Sequence, residues 1–360
     1  MSTTTPTREL DGASAVGVRL REFFDDRIRQ ADAYGPEYQR LWQAARDASV
    51  GGKKLRPALV ITVYRALGGT DIAAALSTAS AFELLHTALL MHDDVIDRDL
   101  VRRGSPNVAG VFTADALGQG TDAAAASIWG EASAILAGDL LIHAAQKLIA
   151  TLDTANDRRL AVLEVFDEAV FTVTAGQHSD VAFASRIVQP STADILAMIE
   201  RKTASYSFIG PLLSGAVLAD ASAADLESLR EFGRHAGVAF QLRDDVLGVF
   251  GIEELTGKST LGDLREGKQT LLIGYANSAS NKNRAAWQSV APLFGRADLT
   301  EPEAAALRGA LETSGARQFV ESVITDQTAR AAQVLAESSL PDHLRADLAD
   351  VLRRCVEREW

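Results

Sequence analysis

Three carboxylates within five residues, Asp93, Asp94 and Asp97 in His92-Asp93-Asp94-Val95-Ile96-Asp97, are the first groups in this chain whose types and spacing could do chemistry. They close an apolar run (Leu84, Leu85, Ala88, Leu89, Leu90, Met91), and on a helix Asp93 and Asp97 are neighbours one turn apart. Ionised together they repel, and a cation between them removes the repulsion. Hard oxygen donors with no Cys or His cluster beside them suit Mg²⁺ shared with the phosphates of a substrate. Arg102 and Arg103 follow closely, so the substrate the spacing suggests is anionic and phosphate-bearing. A second pair, Asp25-Asp26, has basic residues after it and no third carboxylate one turn on, and reads as a solvated helix face.

Four other stretches join the first. Gly51-Gly52-Lys53-Lys54-Leu55-Arg56-Pro57 puts three cations on a glycine turn, a plausible diphosphate cradle, with Pro57 placed to open the next helix. Gly176-Gln177-His178-Ser179-Asp180 is a polar cluster inside an apolar helix, read either as a cavity wall or as a satisfied buried network. Lys202-Thr203 leads into apolar residues, where a lysine needs an anionic partner. Phe240-Gln241-Leu242-Arg243-Asp244-Asp245-Val246-Leu247-Gly248 holds another acidic pair in apolar surroundings. Gly257-Lys258-Ser259 invites a nucleotide-binding reading, but Gly251 is one residue too far for the P-loop spacing and no strand precedes it.

The elements that must position these groups are helices. Of 360 residues 47% are hydrophobic but only 6% aromatic, a balance that favours helix-on-helix packing over a strand-rich sandwich. The net charge of −12 argues against a nucleic-acid-binding surface. One cysteine, Cys355, excludes an internal disulfide and a thiolate cage, and the default setting is reducing and cytoplasmic. The N-terminus lacks the pattern of a signal peptide, and no uninterrupted apolar stretch of the ~18 residues a membrane span needs is present. Residues 1–14 read as a flexible polar leader and 15–360 as one domain. Helices are expected near 16–28, after Pro36, from Pro57 to Gly68, from Asp71 into the acidic motif, at 129–150 and 157–185, and after Pro190. Residues 111–128, rich in Ala and Gly, read as a loop or insertion, and 251–268 as a Gly/Lys/Asp-rich loop.

Taken in order and spacing, these motifs closely resemble the trans-isoprenyl diphosphate synthases, the head-to-tail prenyltransferases, over residues 50–270. Bacterial geranylgeranyl diphosphate synthases are the most similar branch. The resemblance implies an all-α fold, a single large bundle of antiparallel helices around a deep central cavity, and a homodimer. It implies that Asp93, Asp94, Asp97 and Asp244 hold several Mg²⁺ ions, with Asp93, Asp97, Lys202 and Asp244 central to catalysis. Arg102, Lys202, Thr203, Gln241 and Lys258 would contact an allylic diphosphate; Lys53, Arg56, His86 and Arg103 would bind isopentenyl diphosphate; Gln177 would stand in the cavity wall. No nucleic acid and no stable membrane insertion are implied.

Two departures from the family pattern matter. The second acidic motif usually ends in a third Asp, and that position here is Gly248; Asp263 or a water could take its part. The positions four and five before Asp93 are Leu89 and Ala88, where farnesyl-making relatives tend to carry an aromatic plug. The resemblance thus favours geranylgeranyl diphosphate as product over a farnesyl or longer chain. The rival readings are a class I terpene cyclase, whose facing-helix metal motif Asp244 to Gly248 does not supply, and a non-catalytic subunit of a heteromeric synthase, against which the intact first motif argues.

Overall fold

The computed structural model describes residues 7–251 and 260–357, and among these the fold is all-α apart from one minimal hairpin. In chain order come α1 (Thr7–Ala31), α2 (Pro36–Ser49), α3 (Leu55–Ala66), α4 (Ile72–Asp97), the strands β1 (Val101–Arg102) and β2 (Ser105–Pro106), α5 (Val108–Gly118), α6 (Ala123–Ala150) and α7 (Asn156–Ala184). Then follow α8 (Thr192–Ile199), a π-helix (Glu200–Ile209), α9 (Gly210–Leu218), α10 (Ala223–Phe250), α11 (Gly262–Glu266), α12 (Leu271–Asn277), α13 (Arg284–Gln288), α14 (Glu301–Thr313), α15 (Ala316–Glu337) and α16 (Asp342–Val356).

The chain groups into two compact units: Met1–Phe166 with Pro211–Ala221, and Asp167–Gly210 with Ser222–Trp360. The first passes into the second inside α7, a continuous helix, so no change of composition marks the boundary. α1 begins at Thr7. One expectation changes. Residues 111–128 are mostly helix rather than insertion, because Asn107 caps α5, Asp122 caps α6, and alanine is the strongest helix former; only a short link around Gly120 is turn. Lys258 and the Gly257-Lys258-Ser259 stretch lie outside the described residues.

The first unit is organised on α4. Asp71 caps it, its side chain accepting from the Ala73 N–H at 3.0 Å. Four large side chains of α4, Phe82, Leu84, Leu85 and Met91, are almost wholly buried. At about 1.5–3 kcal/mol each they outweigh any local strain at the helix end. The buried hydroxyls of Thr78 and Thr87 donate back to the carbonyls of Ala74 and Glu83, so the core accepts them. α4 stops at Arg98, which takes the left-handed conformation at φ 59°, and Asp99 N–H returns to the Asp94 carbonyl at 2.8 Å.

By length and composition alone α4 and α6 are long and apolar enough to cross a membrane, although neither is an uninterrupted apolar run. In α4 72% of the most apolar window lies inside the protein, as in a core helix; in α6 the share is 39%. In the second unit α10 is the central element, and Leu242, Val246 and Val249 on it pack in one cluster with Ile195, Leu271, Trp287, Leu311 and Ile324.

Candidate active site

In the first unit the acidic motif forms the last turns of α4. Carboxylates there sit at the negative end of the helix dipole, and the last turn carries no basic residue, so the helix itself does nothing to offset them. Asp93 and Asp97 are half-buried one turn apart; Asp94, between them, is buried. Asp94, expected among the metal ligands, is the partner of Arg102: the Arg102 Nε donates to Asp94 Oδ1 at 2.7 Å. Burial pushes the Asp94 carboxyl up to about 6 against the opposing pull of Arg102, with Asp99 and Asp93 adding like charge.

A hairpin aims the two arginines. β1 and β2 pair antiparallel, Val101 with Pro106 and Arg102 with Ser105. The turn residues Arg103 and Gly104 both have positive φ, 54° and 74°, as a two-residue type I′ turn requires. Arg102 turns back to Asp94, while the Arg103 guanidinium lies over the 51–54 loop, where a Cβ on Gly52 would come within 3.2 Å of it. Gly51 and Gly52 take φ of 83° and 75°, so the cationic loop approaches Arg103 with bare backbone. The loop ends at Lys54, left-handed at φ 49°, which precedes α3; Pro57 is the third residue of that helix rather than its first.

Lys54, one of the three cations of the loop, has a buried anionic partner that the sequence reading did not assign. Its Nζ donates to Glu83 Oε1 and to the Ser49 carbonyl, both at 2.8 Å, and Glu83 is buried in the middle of α4. The signal available was a lone Glu in an apolar run, three residues before His86. His86 itself is held well below the usual histidine pKa, by burial first and then by the positive charges of Arg56, Arg103, Lys54 and Arg102. Neutral at pH 7, it can donate a hydrogen bond to an anion without already carrying a charge. Lys53 is exposed on the loop, and Arg56 is half-buried in the first turn of α3. The structure therefore gathers Asp93, Asp94, Asp97, His86, Lys53, Arg56, Arg102 and Arg103 in one unit.

The second unit gathers the rest: Gln177 on α7, Lys202 and Thr203 on the π-helix, Gln241 and Asp244 on α10. A π-helix is rare and tends to mark functional positions. Here glycines let its neighbours come backbone to backbone. A Cβ on Gly176 of α7 would meet Lys202 N at 2.3 Å, and one on Gly237 of α10 would meet Ala204 Cβ at 2.5 Å. Held so, Lys202 Nζ donates to Asp180 Oδ2 at 2.6 Å, the anionic partner that its apolar setting demands. The Thr203 hydroxyl donates to Gln241 Oε1 and Gln241 Nε2 donates to Asp245 Oδ1, each at 2.8 Å, which orients the amide. Burial pushes Asp245 up to about 7 despite the Gln241 bond, and Asp263, Asp244 and Asp180 add to the rise.

Two acidic helix ends with hard oxygen donors fit magnesium. Among the described residues no group of three or more His, Cys, Asp or Glu side chains is arranged to hold a metal by itself. The pair Asp25-Asp26 lacks this context: both are exposed on α1, with Asp26 accepting from Arg29 and Gln30 one turn on.

A family model described as polyprenyl synthetase matches residues 39–298. A (2E,6E)-farnesyl diphosphate synthase of Mycobacterium bovis is 32% identical over 328 residues, 89% of this chain and 85% of that one. A geranylgeranyl diphosphate synthase of Methanosarcina mazei is 32% identical over 321 residues, 89% of this chain and 86% of that one. Among solved structures, the geranylgeranyl pyrophosphate synthase of Corynebacterium glutamicum, complexed with isoprenyl diphosphate and magnesium, superposes with a TM-score of 0.87 at 28% identity, covering 96% of this chain and 98% of that one.

Proposed function

Because the chain belongs to the polyprenyl synthetase family, and so is a prenyltransferase, we propose that it joins isopentenyl diphosphate head to tail with an allylic diphosphate, with geranylgeranyl diphosphate as product. The observation that carries the reading is the division of charge. Arg102 turns to the acidic end of α4, while Arg103 lies over the loop that carries Lys53 and, with Arg56, bears on His86, so two separate sets of cations are present for two diphosphates.

Arg102, Lys202, Thr203 and Gln241, with Lys258, hold the allylic diphosphate; Lys53, Arg56, His86 and Arg103 hold the isopentenyl diphosphate. Asp93, Asp94, Asp97 and Asp244 are the carboxylates toward magnesium, which when bound stabilises negative charge on the leaving diphosphate. Heterolysis of the allylic C–O bond leaves a carbocation and free diphosphate. The isopentenyl double bond attacks the cation, forming the new C–C bond, and the resulting cation loses a proton to the departed diphosphate. The cations of the chain hold that diphosphate in place to receive it. Leu85 and Leu89, on the same helix face as Asp93, keep water from the cation.

Product length rests on α4. Leu89 and Ala88 leave no aromatic plug beside the acidic motif, and Phe82 comes eleven residues before Asp93, about 16 Å down the helix. Phe82 is fully buried and meets Phe166 edge-on with ring centroids 5.4 Å apart, a firm floor. The same reading carries a homodimer. α6 exposes Ile128, Trp129, Ile135 and Leu136, two pairs seven residues apart on one face, an apolar stripe of the kind a partner covers.

Incubating the protein with Mg²⁺, isopentenyl diphosphate and, in turn, dimethylallyl, geranyl or farnesyl diphosphate, then separating the products by chain length, tests the proposal. A C20 product is expected. Elongation that stops at C15 overturns the product assignment, and release of diphosphate without elongation overturns the reaction. Phe82→Ala should shift the product beyond C20; an unchanged length removes Phe82 as the floor.

A further inference from the structure

The turn that carries the cations between α2 and α3 is one that local preference does not hold in place. Gly51, Gly52 and Lys54 have φ of 83°, 75° and 49°, so the chain runs left-handed almost throughout. Glycine adopts that conformation freely. Lys54 has a Cβ that opposes it, and no short polar side chain of the Asn or Asp kind to bond locally against the strain. No side chain caps the N-terminus of α3, which begins directly after Lys54.

What holds the turn is the ammonium of Lys54. Its Nζ donates to the carbonyl of Ser49, the last residue of α2, and to Glu83 Oε1 in the middle of α4, both at 2.8 Å. Ser49 is itself fixed, its hydroxyl donating to the Arg46 carbonyl at 2.6 Å. One side chain thus ties the end of α2, the start of α3 and the body of α4. The side chains of Lys54 and Glu83 are 16% and 7% exposed, so solvent screens the pair weakly. Glu83 is unfavourable to bury, because its Oε2 is enclosed with no hydrogen-bond partner among the described residues. Such a buried pair adds little net stability over apolar side chains of the same volume, and what it supplies instead is geometry. With Lys54 turned inward, Lys53 is left exposed, and the Arg103 guanidinium reaches to 3.2 Å from where a Cβ on Gly52 would stand. His86 follows Glu83 by three residues, on the same side of α4.

We infer that Glu83 is a positioning residue: acting through Lys54, it fixes the glycine turn so that Lys53, Arg56 and Arg103 meet isopentenyl diphosphate together with His86. This rests on the proposed function above.

Charge and position predict opposite signs. A carboxylate near a diphosphate repels it, so by Coulomb attraction alone Glu83→Gln tightens binding, Lys54→Met weakens it, and the two together nearly cancel. If Glu83 acts by position, all three variants lose the same turn and weaken alike. The measurement is the KM of the full chain for isopentenyl diphosphate, with Mg²⁺ and whichever of dimethylallyl, geranyl or farnesyl diphosphate the parent elongates, beside the KM for that allylic diphosphate. Glu83→Gln, Lys54→Met and the double variant should each raise the isopentenyl KM about tenfold, the double no more than either single. The allylic KM should stay within about twofold of the parent. The double variant removes the buried charge along with its partner, so it should melt within about 4 °C of the parent and gives the reading if Glu83→Gln alone does not fold. An isopentenyl KM at or below the parental value in folded Glu83→Gln or in the double variant, or an equal rise in both KM values, overturns the positioning role alone. A parental chain that elongates none of the three starters overturns the proposed function with it.

Discussion

The end of α4 and the end of α10 carry the same kind of charge and are built differently. Both place adjacent carboxylates at a helix C-terminus, where the dipole opposes them and the last turn holds no basic residue. On α4 three aspartates come from one turn, and the middle one is locked to Arg102 by the hairpin, which leaves Asp93 and Asp97 as the pair on one face. On α10 only two come from the helix. Gln241 orients Asp245, and a carboxylate oxygen of Asp263 from α11 lies 2.3 Å from where a Cβ on Gly248 would stand. The first motif is a local device that one helix can make by itself; beside the second stands a carboxylate from another element.

The comparison predicts where substitutions hurt. The largest effect belongs to the local device. Asp93→Ala should lower kcat/KM by about 10³-fold or more, as loss of a charge aimed at the developing anion does, with the circular dichroism unchanged. Near-normal diphosphate release from that variant would break the assignment of α4 as the main acidic site.

Next comes the lock. Arg102→Ala leaves Asp94 buried with no guanidinium and should cost about 3–5 kcal/mol in denaturant unfolding at pH 8. Below about pH 6 the protonated Asp94 no longer needs its partner and the cost should shrink. A loss of equal size at both pH values would mean that the hairpin, not the ion pair, carries the stability.

The smallest effect is a slope. Asp245 has a folded pKa raised to about 7 from 3.8, so the folded state holds the proton more tightly than the unfolded one. Its contribution is present at low pH and lost as pH rises through about 4 to 7. The melting temperature of the metal-free protein should fall by a few degrees across that window, and Asp245→Asn should flatten part of the fall. Mg²⁺ with diphosphate should reverse its direction, because binding favours the ionised carboxylates. A slope that Asp245→Asn leaves untouched would assign it to Asp94 and the other motif.

Much of this was legible in the chain because it is local. Asp71 before an Ala-rich apolar run sets the start of α4, and the i, i+4 spacing sets Asp93 beside Asp97 whatever the rest of the protein does. The motif order from Gly51 to Asp245 and the family it resembles are likewise properties of sequence. The Ala- and Gly-rich stretch near 111–128 misled because glycine was weighted over alanine and the two capping residues, Asn107 and Asp122, were passed over.

What tertiary structure alone decided are the partnerships between residues far apart in the chain. No pattern in the sequence says that Lys54 finds Glu83, that Arg102 pairs with Asp94, or that glycines at 176 and 237 let a π-helix present Lys202 and Thr203. Nor does it say that the oxygen beside Gly248 belongs to Asp263. Helix periodicity fixes distances only over a turn or two; beyond that, which charge meets which is set by how closely backbones pack, and a missing Cβ matters only once a neighbour occupies its space.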